Sequence, residues 1–239
     1  MPRLQQNGLR NRLLRALDPA DFERLAAHLE PVDLVLREVL IEPDTPIAHL
    51  HFVEEGIVSI IAQTIDERVE VGMVGPEGLG GVSILLGTDR SPNLLIVQAT
   101  GSTLRVPAAI VRAAFDESRG FRDVLLRYVQ CLMIQMSRTT YANARFGIES
   151  RLARWILMTH DRLGSDELPL THEFLSMMLG TRRSSITTAT HVLEGNGLIR
   201  AKRANIVVLD RAKLEELAGD SYGAAEAEYE RLFGSPAAA

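Results

Sequence analysis

The apolar positions of the chain change period twice. Up to residue 29 they recur at helical spacing, over residues 10–17 and 19–29, with Asp18 placed as an N-cap before Pro19 at a first helical position. From Val32 the period falls to two. Val32, Leu34 and Leu36 alternate, and residues 47–53, 57–63, 68–74, 94–98 and 102–106 read as further strands. Glu55-Gly56 and Asp66-Glu67 punctuate these runs as turns. Many short strands joined at glycines predict an antiparallel roll or barrel. Helical spacing then returns for the rest of the chain, so the fold class expected is α+β.

The second helical region opens with residues 121–144, a stretch without Gly or Pro that is long enough for about six turns. Leu125, Tyr128, Leu132, Gln135 and Thr139 step by three and four along it, and Val124, Cys131 and Met136 broaden the stripe. That spacing suits either a seam between two parallel helices or a single helix buried in a core. Arg145-Phe146-Gly147-Ile148 interrupts it, and the glycine there can absorb a change of backbone direction. Residues 149–163 form the next predicted helix, with Leu152, Trp155, Ile156 and Thr159 facing inward.

Residues 170–198, LTHEFLSMMLGTRRSSITTATHVLEGNGL, organise the C-terminal part. Thr171 is the expected N-cap of a short helix, with Glu173 in its first turn and Phe174, Leu175, Met178 and Leu179 as its apolar stripe. Gly180 supplies a left-handed stop, and Thr181 is placed to cap a second helix. On that helix Ile186, Ala189 and Leu193 share one face, while Ser184, Thr187, Thr188 and His191 share the opposite one. Gly195 and Gly197 end it. Leu198-Ile199 and then residues 200–209 follow, the latter as a basic two-stranded ribbon turning near Ala204-Asn205. Residues 210–217 and 224–233 read as further helices, and residues 234–239 as a frayed end.

Charge sharpens the picture. The whole chain carries −5, yet from Gly180 to Arg203 five cations (Arg182, Arg183, Arg200, Lys202 and Arg203) face Glu194 alone, a local +4. A basic island on an acidic body suits local docking on phosphates. The outer face of the second helix also lacks the Lys and Glu that a merely solvated helix carries. Two helices, a tight turn and a basic ribbon form a winged helix-turn-helix pattern.

Residues 170–209, most specifically LGTRRSSITTATHVLEGNGLI, resemble the winged helix-turn-helix of the Crp–Fnr family of bacterial transcription regulators. Phe52-Val53-Glu54-Glu55-Gly56-Ile57-Val58 is similar, more loosely, to the strand–Gly–strand signature of the cyclic-nucleotide-binding fold. The resemblance implies a roll over residues 1–120, a dimerisation helix and hinge over 121–147 and a winged helix-turn-helix over 148–239. It also implies a homodimer on a double-stranded operator, with RNA polymerase as a further partner; a single cysteine and no export signal suit a cytoplasmic setting. The dimer seam implied is Leu125, Tyr128, Leu132, Gln135, Met136 and Thr139. Arg183 is the expected bidentate contact to guanine O6/N7. Ser184, Thr187 and Thr188 are candidates for base or phosphate contacts, Ser185, Arg200, Lys202 and Arg203 for the backbone, and Arg182 is a further candidate DNA contact. The best-known members carry Glu where this chain has Ser184 and Arg where it has Thr188, which predicts a different operator.

Candidate ligand chemistry lies in Val74-Gly75-Pro76-Glu77-Gly78-Leu79-Gly80-Gly81, whose glycines let backbone N–H groups approach a phosphate. Nucleotide-binding relatives use a Gly-Glu motif for the ribose and a later Arg-Ser/Thr pair for the cyclic phosphate. Glu77 with Gly78, and Arg90 with Ser91, are the positions here that compare. Arg90-Ser91 comes about three residues late and precedes Pro92, so the favoured reading is a roll with no cyclic nucleotide or with another ligand. Binding of cyclic AMP or cyclic GMP through Glu77 and Arg90/Ser91 is the alternative.

Other chemistries find little support. Cys131, the single cysteine, precludes a disulfide framework and a four-thiolate iron–sulfur cluster. His49 and His51 share a strand face, but no carboxylate–histidine cluster accompanies them, so neither a metal site nor haem is expected. No nucleophile–base spacing argues for an enzyme. No run approaches the ~20 apolar residues of a membrane span, and the N-terminus lacks an apolar signal core.

Overall fold

The computed structural model describes residues 4–65 and 67–234. Asp66 of the expected Asp66-Glu67 turn, and residues 235–239 of the expected frayed end, lie outside them. Two compact units emerge. Among the described residues, one holds residues 4–61 together with Met73–Met133; the other holds residues 62–65, 67–72 and 134–234.

The first unit begins with helices α1 (Arg12–Ala16) and α2 (Pro19–Ala26). Asn11 caps α1, its side chain accepting from the Leu14 amide. Asp18 occupies the N-cap position of α2 as expected but makes no capping hydrogen bond. The roll follows as β1 (Glu30–Leu34), β2 (Val39–Ile41), β3 (His49–Gln63), β4 (Arg68–Val74), β5 (Leu79–Gly80) and β6 (Leu94–Pro107). The strand order is β1-β6-β3-β4, with β2 added to β6 and β5 to β3. Strand β6 runs antiparallel to β1, β2 and β3.

Two predicted strand breaks prove to be bends. Residues 47–53 and 57–63 join into the single strand β3, and residues 94–98 and 102–106 into β6. The Glu55-Gly56 pair is therefore not a turn between strands. It is a register shift within β3, opposite a second irregularity in β6. The cause is a close backbone crossing. Gly56 sits at φ +84°, and a Cβ there would lie 2.6 Å from the Ala99 and Thr100 carbonyl oxygens. A Cβ on Gly101 would approach the Glu55 carbonyl oxygen to 2.2 Å. Bulged strands bend and twist the sheet, which lets long strands close into a roll. Phe52, Leu50, Ile57, Val58 and Leu79 fill the core it makes.

Helices α3 (Ala108–Glu117) and α4 (Arg119–Arg145) follow β6. The expected stripe on α4 is apolar, but it is spent inside the chain. Leu125, Tyr128, Leu132 and Gln135 are all buried, and the Tyr128 hydroxyl donates to the Leu79 carbonyl (3.1 Å). Met136 and Thr139 are half-buried. A different stripe is left outward: Leu126 is 41% exposed, Met133 61% and Tyr141 45%, with Gln130, Ser137 and Thr140 between them. Those positions also step by three and four, the spacing of a two-helix seam.

The second unit contains α5 (Ile148–Leu163), β7 (Glu167–Leu168), α6 (His172–Met178), α7 (Arg183–Gly195), β8 (Ile199–Lys202), β9 (Asn205–Val208), α8 (Arg211–Ala218) and α9 (Ala224–Phe233). Its small sheet has the order β7-β9-β8. Leu152, Trp155, Ile156 and Thr159 of α5 are buried as expected. Polar groups fasten α8 to α5: Arg211 pairs with Asp161 (2.8 Å) and donates to the Tyr222 hydroxyl (2.7 Å), which donates to Asp161 (2.6 Å). Burial, reinforced by its bond to Asp161, raises the Tyr222 phenol above its ordinary range. Among the described residues no helix is long and apolar enough to cross a membrane.

Candidate nucleic-acid interface

Helices α6 and α7 meet at a turn whose geometry is locally encoded. The Thr171 side chain accepts from the Phe174 amide (3.1 Å), the N-cap that starts α6. Gly180 ends the helix at φ +56°, a left-handed conformation that costs an L-residue about 1–2 kcal/mol. Thr181 does not cap α7. Its amide closes the turn on the Ser176 carbonyl (3.0 Å), and Arg182 takes the N-cap position without a capping side-chain bond. Phe174, Leu175 and Met178 of α6 are buried, as are Ile186, Ala189 and Leu193 of α7.

The opposite face of α7 is open. Arg182, Arg183, Ser184 and Thr188 are exposed, and Ser185 and Thr187 half-exposed. Two hydroxyls are turned back on the helix: Thr187 donates to the Arg183 carbonyl and Thr188 to the Ser184 carbonyl, both at 3.1 Å. A threonine hydroxyl has one hydrogen, so Thr187 Oγ1 acts as the acceptor for His172 Nδ1–H, 3.1 Å away on α6. His172 is a component of this surface that the sequence pattern did not single out. Desolvation, with the positive fields of Arg183 and His191, lowers its pKa and favours the neutral ring.

The wing is the hairpin of β8 and β9. Lys202 pairs across to Asn205, and Ala204 takes the tight turn at φ +57°. Glu194 is consumed in fixing it, accepting from the Ala201 amide (2.9 Å). The lone acid of the basic island thus anchors the wing. Arg200 and Arg203 are exposed, whereas Lys202 lies 3.6 Å from Glu167 on β7.

Two of the candidate ligand residues of the roll, Arg90 and Ser91, have partners within the protein. Arg90 pairs with its exposed neighbour Asp89 (3.0 Å), and Ser91 Oγ accepts from the Asn93 amide (3.1 Å). A Cβ at Gly78 would meet the Tyr128 hydroxyl at 2.3 Å, so the glycine is required by the α4 tyrosine packed on it. The helix after the glycine run is a five-residue 3-10 turn, Val82–Leu86. His51 is buried, and His49 half-buried, on β3. Among the described residues no group of three or more His, Cys, Asp or Glu is placed to hold a metal ion.

Comparison with known proteins agrees with this geometry. Residues 150–217 match the Crp-like helix-turn-helix domain. No match to the chain is found among curated protein sequences. Solved structures are similar over most of their length. FixK2 from Bradyrhizobium japonicum has a TM-score of 0.70 at 16% identity, covering 80% of this chain and 98% of that one. TTHB099, a CRP-family transcriptional regulator from Thermus thermophilus, has a TM-score of 0.66 at 18% identity, covering 79% and 97%. The c-di-GMP-responsive global regulator CLP from Xanthomonas campestris has a TM-score of 0.66 at 19% identity, covering 80% and 99%. The chain therefore carries a Crp-like helix-turn-helix domain, set in the fold of the Crp/Fnr transcription regulators.

Proposed function

We propose that the chain is a sequence-specific DNA-binding transcription regulator that acts as a homodimer. The observation that carries the reading is the open face of α7, Arg182, Arg183, Ser184 and Thr188, flanked by Arg200 and Arg203 of the wing. A helix of this kind enters the major groove, where Arg183 can pair bidentately with guanine and the short Ser184 and Thr188 side chains make fewer base contacts. Ser185, Arg200, Lys202 and Arg203 position the phosphate backbone. Lys202 exchanges its partner Glu167 for phosphate on binding. Thr187, held by His172, supports the helix rather than reading a base.

The dimer assigned here uses the outward stripe of α4, Leu126, Gln130, Met133, Ser137 and Thr140, in place of the buried Leu125–Tyr128–Leu132–Gln135 stripe. Two copies joined there present paired α7 helices to successive major grooves, with half-sites about 10–10.5 bp apart. The protein works by binding rather than catalysis, in the cytoplasm where the chromosome and RNA polymerase are. Selection from random duplex DNA tests the reading. A near-palindromic motif with a guanine in each half-site is expected. Retention of unselected sequence with no enrichment would overturn it.

A further inference from the structure

The hairpin joining β3 to β4 belongs to the second compact unit, although the strands that form it run out of the roll. Its residues touch the helix-turn-helix by two routes. A Cβ on Gly180, the left-handed residue between α6 and α7, would stand 2.8 Å from Val69 Cγ2, so the valine lies directly against the turn. Beside it Glu70, 5% exposed, accepts from Trp155 Nε1–H at 2.8 Å. The indole so held packs edge-on against Phe174 of α6, with ring centroids 6.3 Å apart and planes at 68°. Arg151 on α5 completes the surround by donating to the Leu179 carbonyl, one residue before the turn. Glu70, Arg151, Arg154, Trp155, Met178 and Leu179 line one small cleft at this point.

A buried carboxylate is costly unless it is paired and hydrogen-bonded, and here it holds the indole N–H with the Arg154 charge nearby. The chain spends that cost at the base of the reading head. We propose that Val69 and Glu70 are positioning residues for DNA reading: they brace the α6–α7 turn, Val69 through Gly180 and Glu70 through Trp155 and Phe174. This rests on the DNA-reading role above. The brace holds α7 at the angle that presents Arg183 and Ser184 together, so it supports base readout more than phosphate contact.

Trp155 is the only tryptophan, so its fluorescence reports on the brace alone. The test uses the full-length protein and four variants: Glu70→Ala, Glu70→Gln, Trp155→Phe and the double variant Glu70→Ala/Trp155→Phe. Binding to a duplex enriched from random DNA by the wild type is compared with binding to bulk random DNA, with thermal melts confirming folding. Glu70→Ala and Trp155→Phe are expected to weaken the enriched duplex about 2- to 30-fold, the range of network mutations that touch neither ligand. Random-DNA affinity stays unchanged. Glu70→Gln keeps an acceptor for the indole and stays within about twofold of wild type, and the double variant is no weaker than the singles. Trp155 emission shifts in Glu70→Ala and not in Glu70→Gln. If Glu70→Ala does not fold, Trp155→Phe against Glu70→Gln carries the same contrast. Equal losses on both DNAs, or unchanged affinity in folded Trp155→Phe, would overturn the brace. A wild type that enriches no duplex would overturn the DNA-reading role itself and the brace with it.

Discussion

Lowering the pH should destabilise the roll through His51. Its ring is 7% exposed on β3, its Nδ1 is buried without a hydrogen-bond partner, and its cross-strand neighbour is Arg105. Burial, and then the fields of His49 and Arg105, push its pKa down from 6.5 to about 4. In the unfolded chain the ring takes a proton near pH 6.5, while in the folded chain it does so only near 4. Between those values the unfolded state binds more protons, so stability falls as pH falls. Each pH unit is worth up to about 1.4 kcal/mol, so the whole window is worth about 3 kcal/mol. Above the upper value the group contributes no slope, and below the lower one the loss is complete. His51→Leu removes both the titration and the unpaired nitrogen. Urea unfolding of both proteins at fixed concentration from about pH 7.5 to about pH 4 isolates the effect, because other groups cancel in the difference. The wild type should lose about 3 kcal/mol relative to His51→Leu across the window. Parallel curves would show that the His51 ring does not carry this pH dependence.

Three further outcomes are expected. Arg183→Ala should lose about 1–3 kcal/mol at one base pair per half-site and relax specificity there, measured by anisotropy on single-base variants of a selected duplex. Leu126→Glu with Met133→Glu places like charges along the outward stripe of α4; sedimentation should show monomers, whereas glutamates that leave a dimer would refute the seam. Gly56→Ala should lower the unfolding free energy by more than the about 1–2 kcal/mol of its left-handed backbone, because the new methyl also meets two carbonyl oxygens. Chemical denaturation reads that loss.

The parts of the fold legible in the sequence are those written within one turn or one helix. Thr171, Gly180 and the apolar spacing around them specify α6, its stop and α7 with purely local chemistry, and α9 (Ala224–Phe233) has the bounds its pattern predicts. Long-range contacts are not written that way. Gly56 reads as a turn because turn glycines and bulge glycines look alike along the chain; only the crossing backbone of β6 makes it a bend. On α4 two stripes have the same period, and periodicity cannot say which one the roll covers. Tyr128 settles it through a contact with Gly78 and Leu79, some fifty residues away. The Glu70–Trp155 bond spans 85 residues, so no local pattern announces it.

Methylation interference at guanine N7 reports whether two α7 helices enter adjacent major grooves, because N7 lies in that groove. On a duplex selected by the wild type, two patches of interference are expected, centred about 10–10.5 bp apart and related by a two-fold axis, with Arg183→Ala losing one guanine from each. A single patch, or interference confined to adenine N3 in the minor groove, would contradict it.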